Sequence, residues 1–364
     1  MNTKPLLPKQ TALLLLVFLT GSSIINIPAP LTGIAGNAAW ISILLSGSFG
    51  ILLLACILYM HSKYPDLTLF GFSRMLLGKP LTLLLAIPYL CYLLVMTTFI
   101  TIDAGAFIKD TLLIETPSYI ILGLLLMLCA VTCRAGIDAM ARMFTLLLYS
   151  MLFFVVLVLL LAIPSYTPGH LLPVVADGVL PIVHGTYYTI GFPYGEIIAF
   201  LFLLPLTRKE TGDPLRRLML RAISINILSL LCVIIASIMA VGPLSSELKY
   251  SVFQIARLIS LQDILERVES VVAISLIGGS YMKASIALYV LNQGLSELLK
   301  LKNPQMLIYP LALVSFLLTL VMIDLSMDLP QKVTVVWPYY TFLAGIIPLL
   351  LLLLLVRIRS VGGT

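Results

Sequence analysis

About ten apolar runs, each long enough to cross roughly 30 Å of hydrocarbon, follow one another along the 364 residues of this chain. They extend approximately over Thr11 to Leu31, Ala39 to Met60, Leu81 to Ile108, Ser118 to Thr132, Ala139 to Ile163, Val179 to Leu206, Leu218 to Val241, Val271 to Leu291, Ile308 to Ile323 and Val336 to Val356. A soluble core has no use for that much apolar surface in a chain that is 60% hydrophobic and 10% charged. The solvent is therefore a bilayer, and the chain reads as an all-α, multi-pass membrane protein. A single integral membrane domain is expected over 1–364.

The formal charge of +6 points to topology and not to nucleic acid, because the basic residues are scattered between the runs. With a cytoplasmic N-terminus, the inner segments collect Lys4, Lys9, Lys63, Arg74, Lys79, Arg134, Arg142, Arg208, Lys209, Arg216, Arg217, Arg221, Lys300, Lys302, Arg357 and Arg359. The outer segments receive Lys109, Lys249, Arg257, Arg267 and Lys332, most of them beside Asp or Glu. That asymmetry places both termini inside and requires an even number of spans. Lys4 and Lys9 ahead of an apolar run resemble a signal peptide, but no convincing cleavage site follows, and an uncleaved first helix is expected. The five cysteines, Cys56, Cys91, Cys129, Cys133 and Cys232, all fall in apolar runs and read as packing residues.

The sixth run contains Thr189-Ile190-Gly191-Phe192-Pro193-Tyr194-Gly195-Glu196. Two glycines and a proline spoil helical hydrogen bonding at membrane depth, where irregular backbone survives only if protein buries it or water reaches it. A broken helix presenting Glu196 to a site is one reading; a proline-kinked helix with its glutamate near an interface is the other. The first run carries a similar interruption, Gly21-Ser22-Ser23-Ile24-Ile25-Asn26-Ile27-Pro28-Ala29-Pro30. Runs one and six are corresponding members of two five-helix halves, about 10–163 and 179–358. Paired interruptions of this kind point to an inverted-repeat bundle with a site at the repeat interface.

The eighth run contributes Gly278-Gly279-Ser280-Tyr281-Met282-Lys283-Ala284-Ser285, then Tyr289 and Asn292. Lys283 lies about 18 Å along the helix from Val271, too deep to reach an interface comfortably. A lysine there costs several kcal/mol, roughly, unless an anion, carbonyls or water meet it, so it should face the bundle interior. It reads either as a structural cation or as a functional one: a partner for Glu196, a partner for an anionic ligand, a replacement for a transported sodium, or a proton carrier. Asp103 lies about 33 Å along the third run from Leu81, near the outer face, and belongs either to an outer vestibule or to a solvated helix end. The spans from Ile308 to Val356 carry no identifiable buried charge, and Asp324 and Asp328 fall in an outer loop.

Two connecting segments have helical character. Tyr64 to Gly78 mixes Leu67, Leu69, Phe70, Phe72, Met75, Leu76 and Leu77 with Asp66, Ser73 and Arg74, the pattern of a short inner interfacial helix. In Tyr250 to Glu269, apolar Ile255, Leu258, Ile259, Ile264, Leu265 and Val268 recur at helical spacing, predicting an amphipathic helix that caps the outer face or simply lies on it. His170 and His184 lack partners at ligand spacing, so no metal is expected, nor any cofactor. No His-Glu-x-x-His pattern, Gly-x-Ser-x-Gly elbow or P-loop occurs, and an enzyme is not expected.

Lys9-Gln10-Thr11 leading to Gly21-Ser22-Ser23-Ile24-Ile25, then Ala39-Trp40-Ile41-Ser42, Phe192-Pro193-Tyr194-Gly195-Glu196 and Arg267-Val268-Glu269-Ser270 leading to Lys283, resemble the B subunit of GerA-type spore germinant receptors. That family lies within the amino acid/polyamine/organocation transporter superfamily. The resemblance implies a ten-span LeuT-like bundle with helices one and six broken, in the inner membrane of a spore. It implies a small germinant such as an amino acid as ligand, and receptor A and C subunits as partners. The pocket it implies is walled by Gly21, Ser22 and Ser23, by Tyr92 and Met96, by the segment Gly191 to Ile197 including Tyr194 and Glu196, and by Ser285 and Tyr289. Tyr89 competes with Tyr92 for the third-helix position. A nutrient sensor, a proton-coupled amino acid permease and a ligand-opened water or ion conduit all fit these residues, because a sensor that has lost transport keeps the same broken helices.

Overall fold

The computed structural model describes residues 5–176, 178–210, 212, 214–258, 268–324 and 332–361, and these are helical almost throughout. Among them, nine helical stretches are long and apolar enough to cross a bilayer. A further crossing, over 180–206, comes in two pieces. The all-α, roughly ten-span expectation therefore holds.

The first crossing is α1 (Pro8–Thr20), α2 (Ser23–Asn26) and α3 (Pro28–Ala35). It interrupts at Gly21-Ser22, where the Ser23 hydroxyl spans the break by donating to the Leu19 carbonyl at 2.5 Å. A second irregularity follows at Ile27, because Pro28 brings no N–H. After a turn through Gly36, α4 (Ala39–Lys63) returns.

The helix α5 (Leu69–Thr111) bends at Gly78, whose φ of 79° a residue with a Cβ rarely adopts. The bend separates a short leading helix from the third crossing, in the place where an interfacial helix was expected. That leading helix is turned inward: Phe70, Phe72 and Leu76 are buried, and Phe70 meets Phe202 at 5.0 Å and Tyr89 at 6.1 Å, edge to face. Its aromatics find ring partners in the bundle, a better use of their area than an interface offers. Thr68 caps it, accepting from the Gly71 N–H at 3.1 Å.

Next come α6 (Ser118–Ala135) and α7 (Ile137–Leu161), then the sixth crossing: α8 (Leu180–Gly191), extended backbone at Phe192, and a 3₁₀ stretch Tyr194–Phe202. The chain closes with α9 (Pro214–Val241), α10 (Ser251–Leu258), α11 (Val268–Leu298), α12 (Ile308–Asp324) and a last run, α13, over 332–361. In α13, π turns at Lys332–Val336 and Phe342–Ile346 flank Trp337–Thr341. The helix α11 is central, packing on α1, α5, α6 and α7.

The connections assemble two ends. At one end, which we call the base, Leu6 pairs with the strand-like segment at Thr207: its N–H donates to Leu206 O at 2.9 Å, and Arg208 N–H donates to Leu6 O at 2.8 Å. The hydroxyls of Thr11 and Thr207 meet at 2.8 Å beside this bridge. Also at the base, Lys209 pairs with Asp66 at 3.0 Å, and the Thr68 hydroxyl donates to Glu297 at 2.7 Å. At the far end, Thr32 donates to Ser245 O at 3.1 Å and Asn37 to Pro173 O at 3.2 Å. The segments grouped at each end are those that the charge asymmetry assigned to one side.

The amphipathic outer segment is described only as far as Leu258 and again from 268. Ile259, Ile264, Leu265 and Arg267, like Asp328, lie outside the described residues. The described part, α10, buries Val252, Phe253, Ile255 and Ala256 and sets Phe253 against Phe107 at 6.0 Å. It packs into the far end, as a capping helix would. Of the cysteines, Cys129 and Cys133 are packing residues as expected, whereas Cys91 and Cys232 are exposed on the flank of the bundle.

Candidate functional site

Gly21 and Gly279 fix how the first crossing meets α11. A Cβ on Gly21 would lie 2.3 Å from the Gly279 carbonyl oxygen, and one on Gly279 would lie 2.5 Å from the Gly21 oxygen. Two backbones thus touch at the break, as small residues allow between membrane helices. One turn beyond Gly279, α11 delivers Lys283 into the bundle. One turn before Gly21, α1 delivers Phe18.

The Lys283 ammonium meets Glu196 Oε2 at 2.6 Å; the two side chains are 0% and 2% exposed. The second carboxylate oxygen, Oε1, accepts the Trp337 indole N–H at 3.1 Å. The ammonium also lies 4.2 Å from the centroid of the Phe192 ring and 5.2 Å from that of Phe18, within cation–π range. Helices one, six, eight and ten therefore converge on one ion pair. Its presence decides between the two readings of the sixth run: the helix is broken, and Glu196 faces the interior. Of the roles weighed for Lys283, partner to Glu196 is the one realised here.

The break positions both charges. Phe192 leaves the helix with φ −141° and ψ 116°, and Pro193 supplies no N–H to resume it. The 3₁₀ stretch then turns Glu196 inward, with every residue of Tyr194–Phe202 buried. A lone charge in this setting is costly, and removing one partner of a buried pair destabilises by about 3–5 kcal/mol.

The third helix joins through Tyr92, whose ring stacks on Trp337 with centroids 4.9 Å apart and planes inclined by 13°. Tyr89 instead stacks on Phe202 at 5.9 Å, toward the base. Of the two tyrosines, Tyr92 is thus the one that stacks on the Trp337 ring bonded to Glu196.

The other predicted site residues are placed as follows. Gly21 is spent on the contact with Gly279. Ser22 is buried, and its hydroxyl has no hydrogen-bond partner among the described residues, whereas Ser23 bonds back along the helix. Met96 and Ile197 are buried in the core. Gly191 lies against Pro338 of α13, where a Cβ would come within 2.4 Å of its Cα. The Tyr194 ring covers Gly50 of α4. Ser285 faces α6, its carbonyl accepting from Cys133 Sγ at 3.1 Å, and the Tyr289 hydroxyl accepts from Gln293 Nε2 at 2.7 Å. The structure thus gathers Glu196, Lys283 and Tyr92 and leaves Tyr194, Ser285 and Tyr289 on neighbouring contacts.

Asp103 is half-buried. It accepts from Asn26 Nδ2 at 3.4 Å, while the Tyr188 hydroxyl donates to the Asn26 carbonyl at 3.2 Å. It therefore ties α5 to the broken first helix. Near the far end, His170 Nδ1 lies 3.1 Å from Met239 O at the end of α9; among the described residues, no three His, Cys, Asp or Glu side chains cluster as metal ligands would.

Sequence reasoning missed Trp337 and Phe18, and although Phe192 and Asn26 stand in the interruptions it singled out, it gave neither an individual role. Trp337 had a faint signal, as one of two tryptophans in the chain, but nothing in its own run links it to a glutamate 141 positions earlier. The phenylalanines are indistinguishable from core residues until the ammonium is seen between them.

The comparisons agree with this architecture. MhsT in complex with L-phenylalanine superposes with a TM-score of 0.70 at 15% identity, covering 95% of this chain and 87% of that one. The substrate-bound outward-open state of a Na⁺-coupled sialic acid symporter gives 0.68 at 9% identity over 94% and 79%. A manganese transporter of Eremococcus coleocola gives 0.63 at 15% identity over 94% and 78%. At such identities the likeness is one of fold, the LeuT-like bundle. In sequence, the chain is 28% identical over 308 residues to spore germination protein KB of Bacillus subtilis, covering 84% of this chain and 82% of that one. It is 23% identical over 325 residues to spore germination protein YndE of the same organism, covering 87% of each. A family profile described as spore germination protein matches residues 5–327; the chain belongs to the spore germination protein family.

Proposed function

We propose that this chain is the nutrient-sensing membrane subunit of a spore germinant receptor, binding a small germinant such as an amino acid where the two broken helices meet and thereby triggering germination. The observation that carries this reading is the enclosed Glu196–Lys283 pair, set at the break of the sixth crossing in a chain of the spore germination family. Two opposite charges at mid-bilayer are costly to maintain without a task. They match the ammonium and carboxylate of an amino acid, the class of ligand that MhsT holds on the same fold.

On this reading the membrane is the spore inner membrane, with both termini and the base on the cytoplasmic side. Repeat one spans about 10–163 and repeat two about 179–358. The partners are receptor A and C subunits, and the chain performs no catalysis. A bundle with two packings close in energy suffices for signalling, because a ligand that prefers one shifts the population toward it.

Proton-coupled amino acid transport is the second reading, favoured by the transporters that share the fold. Purified protein in sealed proteoliposomes, incubated with radiolabelled L-alanine and other amino acids with and without a proton gradient, separates the two. A sensor gives saturable surface-bound label without accumulation. Gradient-dependent accumulation that disappears in Lys283→Ala overturns the sensor reading and establishes the permease.

A further inference from the structure

The surroundings of the Lys283 ammonium do not depend on its belonging to a lysine. One carboxylate oxygen lies 2.6 Å away, and two ring faces, Phe192 and Phe18, lie 4.2 and 5.2 Å from the nitrogen. Among the described residues no further hydrogen-bonding oxygen holds it. A structural lysine at this depth is best served by a set of carbonyls, which fix the direction of each N–H. A carboxylate with aromatic faces is instead the chemistry by which proteins hold ammonium ligands that come and go.

The parts of this cradle also sit where a change would be transmitted. Phe18 precedes the break of the first crossing by one turn. Phe192 is the extended residue at the break of the sixth. Glu196 lies in the first turn of the 3₁₀ stretch beyond that break, and Lys283 stands on the central helix α11. Through its ammonium, Lys283 thus ties α11 to both broken helices at once.

We infer that Glu196, Phe18 and Phe192 form an ammonium-binding subsite, that Lys283 is its built-in occupant, and that a ligand bearing a primary ammonium acts by displacing Lys283. This deepens the receptor reading and rests on it. The ligand class follows from the cradle and its occupant: an unhindered ammonium on a molecule that also bears a carboxylate to receive the displaced Lys283, as an amino acid does, and not a neutral nutrient or an inorganic anion. Displacement unties α11 from the broken helices, while the incoming ammonium continues to neutralise Glu196.

Lys283→Ala vacates the cradle and leaves room for n-propylammonium, which replaces the deleted part of the side chain. In full-length protein reconstituted in nanodiscs, n-propylammonium should raise the melting midpoint of Lys283→Ala saturably. The isosteric alcohol n-propanol should not, and Lys283→Ala combined with Glu196→Gln should lose the response. Wild type should bind n-propylammonium at least about tenfold more weakly than Lys283→Ala, because its own lysine competes for the cradle.

If Lys283→Ala is not recovered from membranes, extraction in n-propylammonium should rescue it and extraction in n-propanol should not. No stabilisation and no rescue by n-propylammonium, or equal affinity of wild type and variant, overturns the inference. The receptor reading fails separately: a germination response of spores to an amino acid panel, in the absence of any n-propylammonium effect on Lys283→Ala, keeps the receptor and discards the cradle. Cradle binding with no nutrient response does the reverse.

Discussion

Trp337 and Lys283 hold opposite oxygens of one carboxylate: the indole N–H reaches Glu196 Oε1 at 3.1 Å and the ammonium reaches Oε2 at 2.6 Å. The helix eight cation and the helix ten donor are thus tied to the break of helix six. The same indole stacks on Tyr92, which extends the arrangement to helix three. A single carboxylate therefore registers the relative positions of several helices, and changes at any of its partners should be felt at the others.

Removing the cation alone should be more damaging than removing the pair. Lys283→Ala leaves Glu196 buried beside an apolar surface and is expected to lower stability by about 3–5 kcal/mol. The double variant with Glu196→Gln should recover much of that loss, since no unpaired charge remains. Denaturation of each variant in nanodiscs gives the coupling energy. Additive losses would show that the two residues do not act as a pair.

Trp337→Phe keeps a ring against Tyr92 and deletes the N–H. The expected loss is about 1.5–3 kcal/mol, the worth of a hydrogen bond to a charged group, accompanied by weaker ligand response. Trp337→Leu should lose the stacking as well and fall further. Equal stability of wild type and Trp337→Phe would remove the indole N–H from the site.

Gly279→Ala inserts a methyl where the Gly21 carbonyl now lies, 2.5 Å from the added carbon. Because the obstacle is backbone, the helices must separate. A loss of about 1–3 kcal/mol is expected, with reduced protein in the membrane. Gly278→Ala, where a Cβ meets nothing within 4 Å, should be close to neutral and serves as the control on the same turn. Comparable expression and melting of the two variants would contradict the contact.

Thr68 joins the leading helix of α5 to α11 by donating to Glu297 while its oxygen caps that helix. Thr68→Ala should cost about 1 kcal/mol through the lost cap and raise hydrogen exchange over 69–77. Thr68→Ser, which keeps both bonds, should behave as wild type. Unchanged exchange in Thr68→Ala would show that the cap does not hold this helix.

The chain's length in apolar runs, the alternation of its basic connections and the interruptions at Gly21-Ser22 and Phe192-Pro193 were all legible without coordinates. Each is a local property: hydrocarbon thickness sets the run, and a missing N–H or Cβ sets the break. Lys283 could be placed inside the bundle for the same reason, since its depth along the helix follows from counting residues and its cost from the solvent alone. The leading helix of α5 was readable as a helix, but its inward-facing Phe70 was not, because the partners Tyr89 and Phe202 come from other crossings.

What the sequence by itself determined, then, was that this protein crosses a bilayer about ten times, interrupts the helical pattern of its first and sixth runs and hides an ammonium at depth. Only the tertiary structure decided that Glu196 faces the interior with Lys283 as its partner, that Trp337 completes the carboxylate's bonding and stacks on Tyr92, and that Gly21 serves a helix contact. The physical reason is range. Hydrophobicity, helix-breaking and the cost of a buried charge act on a residue through its immediate chain and solvent. Pairing depends on which faces of distant helices are packed together, and the intervening residues leave no trace of that choice.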